Sequence, residues 1–437
     1  MRKYIFYLLS IVATCIITGC TDNLQDEQES PKARTHEVTQ SEALQHLNKI
    51  IPDLKIPSTR GAAEKSFPQI TSSYSIGSHS STRSDGEVEP YFHIFNFGDN
   101  EGFAIMSGDD RVIPLLAITF KGELTPETEI DNPGFKIAYS KMKDYYVEQI
   151  STSSFGDNGG GGGKLPIDPG DNPELELRFE YTEPVIVTHN MPYGHCQVEW
   201  GQKDPYNKYC GLYELGLKAY VGCVPVAVAQ LMSIYKYPSS YNGYTFNWNQ
   251  MNQYKNISFD EEYYPVATEQ IARLMQQLGL PENLDVQYEV VAPGNGSSAY
   301  PEDIPHTLRN FGYTNGGVLR AYDTEVVTDE LIAGYPVLIG GRTTEDEGHR
   351  WLGHGIVECF QTMYIYNGYN MLVSTVDIDV KYILCNWGWN GYQDGYYASK
   401  VFDTESGPSY PYEVISRTDD TNPYFREELT VITNIRR

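Results

Sequence analysis

The apolar and polar positions of the N-terminal third predict a small domain of helices and strands. Apolar residues at helical spacing predict helices over Ser41–Ile51 and Phe135–Ile150. The segment 61–89 is polar and rich in serine, so we expect a loop there. Short apolar runs, two of them flanking the turn residues GDNEG, predict strands. These strands are Tyr91–Phe97, Gly102–Ser107 and Val112–Phe120.

The C-terminal part of the chain has helices first and strands afterwards. Helices are predicted from Cys223 onwards, over Glu269–Leu278 and over Asp303–Phe311. Because strands and helices do not alternate, the pattern indicates an α+β fold rather than a parallel α/β sheet. The predicted strands are Pro336–Gly340, Trp351–Phe360, Tyr364–Tyr366, Val373–Val376, Tyr382–Trp387 and Tyr396–Ala398.

A segment rich in glycine and proline separates the two parts. Residues 151–179 contain five consecutive glycines, Gly159–Gly163, followed by several prolines, and such a composition favours a flexible linker. We therefore expect a first domain at 36–150 and a second at 180–437. The linker is either a plain interdomain connection or the region where an activation cleavage occurs.

The N-terminus has the features of a targeting segment. Arg2 and Lys3 precede an apolar run that ends before Cys20, which predicts a signal peptide over residues 1–19. A cysteine directly after the cut resembles the lipidation site of bacterial lipoproteins, although it could also be incidental to an ordinary signal peptide. The acidic residues 20–35 would then be a tether. The expected location is extracytoplasmic, lipid-anchored to a bacterial outer membrane, with release after processing, and the anchor is the only membrane contact we predict.

Charge and cysteine content narrow the classes of protein further. The formal net charge of −26 argues against nucleic acid as a partner. Five cysteines remain after residue 20, an odd number, so at least one should be a free thiol. A Cys196–Cys210 disulfide is left open. No C-x₂-C spacing typical of zinc sites occurs, and we predict neither a metal nor another cofactor.

Cys223 lies where the most apolar predicted helix begins. Gly222 precedes it, and Pro225 suits the first helical turn, where its missing N–H would have no partner. Unpaired N–H groups and the helix dipole stabilise a thiolate at such a position, and the thiolate is the nucleophilic form. Taken alone, however, a Gly-Cys before an apolar helix is more often a buried structural cysteine.

A nucleophilic thiol would need a base and a group that orients it. His349 and His354 lie close together; five residues apart on a strand, they should point to opposite faces, and the spacing does not say which one faces Cys223. Asn386 could accept the N–H of an imidazole, and the Trp387 indole could shield that bond, although Asn-Trp-Gly is also typical of a turn. The order Cys, His, Asn is that of papain-like cysteine peptidases.

Several blocks resemble the streptopain (C10) family of secreted cysteine peptidases. VGCVPVAVAQLMSIYKYP, GHRWLGHGI and NWGWNGYQDGYY look like its three signature blocks, and WGQKDPYN resembles a fourth. FHIFNFGDNEGFAIMSGDDRVIPLLAIT is similar to the inhibitory propeptide of these zymogens. The resemblance implies a papain-like peptidase domain behind a smaller α+β propeptide domain.

The same resemblance implies a role for each matching residue. Cys223 would be the nucleophile, His349 the base, and Gln202 a donor to the oxyanion together with the Cys223 N–H. Asn386 would orient the imidazole beside Trp387. The positions that match substrate-binding residues are Trp248, Ser297, Ser298 and Gly348.

The implied protein is a secreted cysteine endopeptidase zymogen that acts on proteins or peptides and is inhibited by its own propeptide. The alternatives are an inactive surface lipoprotein that binds polypeptides and a papain-fold amidase or transferase. Pro225, Arg350 and His354 depart from the family pattern. If His349 and Asn386 faced each other on antiparallel strands, Cys385 would lie near Arg350, which argues against a disulfide with Cys359.

Overall fold

The computed structural model describes ten stretches of the chain, with gaps between them. They are residues 36–56, 65–77, 91–153, 178–211, 218–257, 265–288, 297–342, 348–366, 369–403 and 429–437. The predicted signal peptide, the tether and most of the predicted linker lie outside these residues. The domain boundaries drawn from the sequence therefore stay a prediction.

Seven helices and fourteen strands are seen within the described stretches. The helices are α1 Gln40–Ile50, α2 Pro133–Ser153, α3 Cys223–Tyr235, α4 Trp248–Met251, α5 Pro265–Leu278, α6 Asp303–Asn310 and α7 Thr324–Ile332. The strands of the N-terminal part are β1 Ile70–Ile76, β2 Phe92–Phe97, β3 Phe103–Ser107 and β4 Leu115–Thr119. The later strands are β5 Arg178–Tyr181, β6 Val185–Thr188, β7 Ser240–Tyr241, β8 Tyr244–Thr245, β9 Asn315–Ala321, β10 Val337–Arg342, β11 Gly348–Tyr366, β12 Leu372–Asn386, β13 Gly395–Ala398 and β14 Thr430–Arg436. This mixture confirms the predicted α+β class.

One sheet runs through both halves of the chain. Its strand order is β1-β2-β3-β4-β13-β12-β11-β10-β14-β9, and β5 and β6 pair with the outer part of β11. The two halves meet where β4 pairs antiparallel with β13, with Thr119 opposite Gly395 and Ala117 opposite Tyr397. We call this pairing the β4–β13 seam.

The C-terminal strands are apolar on both faces because each face packs against a different layer. Ile339 and Trp351 belong to the core that also contains α2 and the strands of the N-terminal half. Leu338 and Leu352, one position along, pack instead with α3, α5 and α6. Alternation along β10 and β11 therefore places the start of β11 between the N-terminal half and α3.

Four expectations about the strands were wrong. The segment predicted as a loop contains strand β1, Ile70–Ile76. The two strands predicted at 351–360 and 364–366 form the single strand β11. The two predicted at 373–376 and 382–387 likewise form the single strand β12, Leu372–Asn386. The register is also different: Asn386 lies opposite Leu352 rather than His349, and Cys385 lies opposite Gly353.

All five cysteines of the described residues are free thiols, so neither of the pairs considered from the sequence is bonded; they are Cys196, Cys210, Cys223, Cys359 and Cys385. Within the stretches that the structure covers, no helix is both long enough and apolar enough to span a bilayer.

Candidate active site

The start of α3 holds the Cys223 thiol at the surface of the apolar core. Every other residue of α3 is buried, whereas Cys223 is half-buried. Gly222 has φ +94°, a backbone conformation that favours glycine, and a Cβ there would lie 3.1 Å from the Ser297 carbonyl oxygen. The Val221 N–H donates to the Gln202 carbonyl at 3.0 Å, which fixes the chain just before the helix. The thiol therefore stands at the N-terminus of a rigid helix.

His349, at the start of β11, is the imidazole that contacts this thiol. Its Nε2 lies 2.7 Å from the Trp387 carbonyl oxygen, and since a carbonyl only accepts, Nε2 carries a proton. In the neutral ring Nδ1 is then the atom that can accept a proton from sulfur. The structure therefore brings together two of the residues predicted from the sequence.

The pKa of Cys223 is lowered although burial acts to raise it. The opposing causes are the charge of the His349 imidazole, its hydrogen bond to the sulfur, and the backbone N–H and charge of Arg350. A lower pKa increases the thiolate fraction near neutral pH. Cys196, Cys210 and Cys359 show the opposite effect, because burial raises the pKa of each.

Asn386 makes its hydrogen bonds to groups other than the imidazole that the sequence predicted as its partner. Its amide nitrogen donates to the Val198 carbonyl at 2.9 Å, and its Oδ1 accepts the Gly388 N–H at 3.0 Å. The oxygen that holds His349 is the Trp387 main-chain carbonyl instead. Asn386 thus shapes the turn that presents this carbonyl.

Trp387 is fixed by three hydrogen bonds besides the one to the imidazole. Its backbone N–H donates to Oδ1 of Asp394 at 2.9 Å, and its indole N–H donates to the Gln393 carbonyl at 2.8 Å and the Tyr397 hydroxyl at 3.2 Å. The indole is fully buried and tilted against Trp351, with ring centroids 5.0 Å apart. Asp394 is the residue here that sequence reasoning missed, and its position in the NWGWNGYQD block was the available signal.

The remaining predicted residues are distributed unevenly around Cys223. Gln202 is buried, and its carbonyl fixes Val221, two residues before the thiol. Ser297 is buried beside Gly222, with its hydroxyl donating to the Tyr220 carbonyl at 2.6 Å. The other three predicted positions differ: Ser298 and Gly348 are exposed, while Trp248 is buried in the core with its indole N–H on the Pro238 carbonyl at 2.6 Å.

The three departures from the family pattern have distinct environments. His354 lies away from Cys223: its Nδ1 accepts the Cys196 N–H at 3.1 Å, and burial together with His195 holds its pKa well below the usual value. Pro225 is buried in the first turn of α3. Arg350 is buried beside the thiol and is treated below.

Helix α2 of the N-terminal half covers the imidazole. A Cβ at Gly134 would lie 2.4 Å from Cε3 of Trp387 and 2.6 Å from Cδ2 of His349, so the helix backbone touches both residues. Asn132, fully buried, accepts the Gly134 N–H through Oδ1 at 3.1 Å while its Nδ2 donates to the Tyr392 carbonyl at 2.9 Å. The first turn of α2 is thus both capped and fastened to the loop after Trp387.

One group in the described residues has the side chains to hold a metal ion. His36, Asp109 and Asp110 lie close enough together in the N-terminal half. Arg111 already bonds both carboxylate oxygens of Asp109, at 2.8 and 2.7 Å, and this bidentate contact competes with a cation. We assign no metal to this group.

The sequence and the structure are both similar to those of known proteins. The profile of the Peptidase C10 family matches residues 200–397, and that of the Spi protease inhibitor matches residues 35–146. The chain is 24% identical to streptopain of Streptococcus pyogenes serotype M1 over 346 residues, which cover 70% of this chain and 73% of streptopain. It is 23% identical to the thiol protease/hemagglutinin PrtT of Porphyromonas gingivalis over 333 residues, 70% of this chain but only 33% of PrtT. The fold resembles that of a prointerpain A fragment from Prevotella intermedia, with a TM-score of 0.50 and 22% identity over 83% of this chain and 99% of that one.

Proposed function

We propose that the chain, which matches the Peptidase C10 family over residues 200–397 and the Spi protease inhibitor over residues 35–146, is a secreted cysteine endopeptidase made as an inactive zymogen. The bond between Cys223 and His349 at the start of α3 carries the proposal, because it is the one thiol–imidazole contact in the described residues that lowers a cysteine pKa. The substrates are proteins or peptides.

In the proposed mechanism His349 takes the Cys223 proton through Nδ1, and the thiolate attacks the carbonyl carbon of a peptide bond. The protonated imidazole then gives its proton to the departing amine as the C–N bond breaks, which leaves a thioester on Cys223. A water molecule, deprotonated by His349, hydrolyses the thioester and restores the thiol. The Trp387 carbonyl keeps the imidazole in one tautomer through both steps.

Gln202 and the Cys223 N–H are the donors proposed for the oxyanion. The bond from Val221 to Gln202 supports this, since it holds the Gln202 backbone next to the segment that leads into the nucleophile. Removal of one oxyanion donor typically costs roughly 10²- to 10³-fold in kcat. Substrate binding by Trp248, Ser297, Ser298 and Gly348 stays a proposal. The position of Ser297 beside Gly222 supports the role of Ser297.

Cleavage of casein by purified wild-type protein and by Cys223→Ala tests the activity. We expect cleavage by the wild type alone, and equal cleavage by both proteins would refute the proposal. Labelling with a peptidyl epoxide inhibitor, followed by mass spectrometry, separates a peptidase from an inactive polypeptide-binding protein, since only an activated Cys223 should react. Hydrolysis of peptidoglycan stem peptides without hydrolysis of proteins would instead indicate an amidase.

The N-terminal half is proposed to be the inhibitor of the peptidase domain until a cut within residues 151–179 releases it. The contact of Gly134 with His349 and Trp387 supports this, because a substrate backbone could not occupy the same place. N-terminal sequencing after activation should find a mature form that begins in the linker. A fully active protein that retains residues 36–150 would contradict the proposal.

Export and lipidation are proposed from residues 1–19 and Cys20. Growth of expressing bacteria with a labelled fatty acid should label the wild-type protein but not Cys20→Ser. Equal labelling of both would place the acyl group elsewhere.

A further inference from the structure

Arg350 follows the proposed base directly and buries its side chain beside the proposed nucleophile. It is 5% exposed, and its backbone N–H bonds the Cys223 sulfur. The site around it is shaped for a guanidinium: Gly340 lies opposite on β10, and a Cβ at Gly340 would stand 2.5 Å from Cζ of Arg350. The side chain is therefore held in one place.

The hydrogen bonds of this guanidinium go to neutral groups. Nη1 donates to the Leu338 carbonyl at 3.1 Å, and Nη2 donates to the Thr430 hydroxyl at 2.9 Å. A buried charge is costly unless an opposite charge accompanies it. The anions whose charges act on Arg350 are the Cys223 thiolate and the Glu302 carboxylate.

We propose that Arg350 is a second, permanent cationic partner of the Cys223 thiolate. This inference rests on the proposed function, and it makes Arg350 a positioning residue rather than a catalytic one. The charged groups that act on Cys223 are the His349 imidazole and Arg350, and of these only the imidazole accepts and gives up a proton in the proposed mechanism. Burial lowers the pKa of Arg350 to about 10, which still leaves the guanidinium charged at neutral pH.

A fixed cation changes how the nucleophile depends on the base. With His349 alone, the thiolate would be stabilised only while the imidazole is protonated. With Arg350 behind it, the thiolate of the free enzyme has a cationic partner even when the imidazole is neutral. The thiolate should therefore survive removal of the imidazole, and this distinguishes electrostatic support from a structural role.

The test is the pH dependence of Cys223 alkylation by iodoacetamide in the full chain, with the modified cysteine identified by mass spectrometry. Arg350→Gln keeps an N–H donor but removes the charge, and Arg350→Lys keeps the charge. A nearby opposite charge typically shifts a pKa by about one unit or more. We expect the alkylation midpoint to rise by about one pH unit in Arg350→Gln and to stay near the wild-type value in Arg350→Lys.

The matched control is Arg320→Gln, an exposed arginine on β9 of the same sheet, which should leave the midpoint unchanged. In a His349→Ala background the midpoint should stay below the value of about 8.5 for an ordinary thiol and rise only when Arg350 is also replaced. Circular dichroism checks folding, and Arg350→Met replaces Arg350→Gln if the latter does not fold.

Two results would overturn the inference: a folded neutral variant with the wild-type midpoint, or an equal shift in Arg350→Gln and Arg350→Lys. Failure of the proposed function looks different. In that case wild-type Cys223 reacts like an ordinary thiol and casein is not cleaved, whatever residue occupies position 350.

Discussion

Replacement of Gly134 with alanine tests whether the first turn of α2 holds the propeptide against the imidazole. The new methyl group would meet Cε3 of Trp387 at 2.4 Å and Cδ2 of His349 at 2.6 Å. Neither ring can retreat easily: Trp387 is fully buried, and Nε2 of His349 is bonded to the Trp387 carbonyl. We therefore expect the helix, not the rings, to move.

The size of the effect follows from these distances. Contacts about 1 Å too short amount to over-packing, which costs about 1–3 kcal/mol. Alanine recovers up to about 1 kcal/mol through its better helix propensity. From the middle of the over-packing range, about 2 kcal/mol, the net weakening is then about 1–2 kcal/mol. It corresponds to a roughly 5- to 30-fold larger fraction of chains with α2 lifted from the site.

The assay is the initial rate at which the intact full chain cleaves a fluorogenic peptide, with gel electrophoresis to show that no processing has occurred. Gly108→Ala is the control, since a Cβ there would clash with Tyr91 at 2.2 Å, away from the imidazole. The rate should rise in Gly134→Ala well beyond any rise in Gly108→Ala. Equal rates in the two variants, at equal loss of melting temperature, would show that α2 does not hold the site closed locally.

Three further predictions concern the site and the propeptide. His349→Ala should lower kcat/KM at least 10³-fold, on the order seen when a catalytic base is removed, whereas His354→Ala should retain most activity; the reverse order would make His354 the base. Asp394→Ala should lower kcat about tenfold by leaving the buried Trp387 N–H without its acceptor, and Asp394→Asn should restore it; equal losses would implicate the charge instead. Burial lowers the pKa of His46 below its ordinary 6.5, so the unfolded chain binds more protons and stability should fall as the pH drops from about 7.5 to 5.5. Thermal melts at both pH values should show a smaller fall in His46→Gln, and an unchanged fall would contradict this.

The sequence predicted helices and strands well where burial of one face gives the apolar residues a regular spacing. Helices α1 and α2 end within a few residues of the predicted bounds, because their apolar residues face one core. Strand β1 was missed although Ile70, Tyr74 and Ile76 alternate with serines and threonine, since an edge strand buries little of its length. The register of β11 and β12 could not be read from spacing, because alternation fixes the face of a residue and not its partner on the next strand; Asn386 lies opposite Leu352 and not His349.

The sequence predicted only those parts of the site that consist of chemically distinctive side chains. Cys223 and His349 carry reactive groups, and the structure brings together these two side chains that the family resemblance named. The oxygen that holds the imidazole belongs to a main-chain carbonyl, which any residue at position 387 would supply. Gly134 lies in the other half of the chain and lets α2 approach His349 and Trp387 because it has no side chain. No pattern in the sequence around Gly134 indicates this contact.

The β4–β13 seam means that cutting the linker and uncovering the site are separate events. Any cut between residues 154 and 177 leaves Ala117–Thr119 paired with Gly395–Tyr397. It also leaves the rings of Phe120 and Tyr396 packed together, with their centroids 5.6 Å apart. A nicked molecule is then a two-chain complex whose dissociation depends on dilution, so its latency should outlast the covalent bond at high protein concentration. Once the propeptide leaves, β13 becomes an edge strand of the sheet. Its unpaired backbone N–H and C=O groups can then pair with a strand of another molecule.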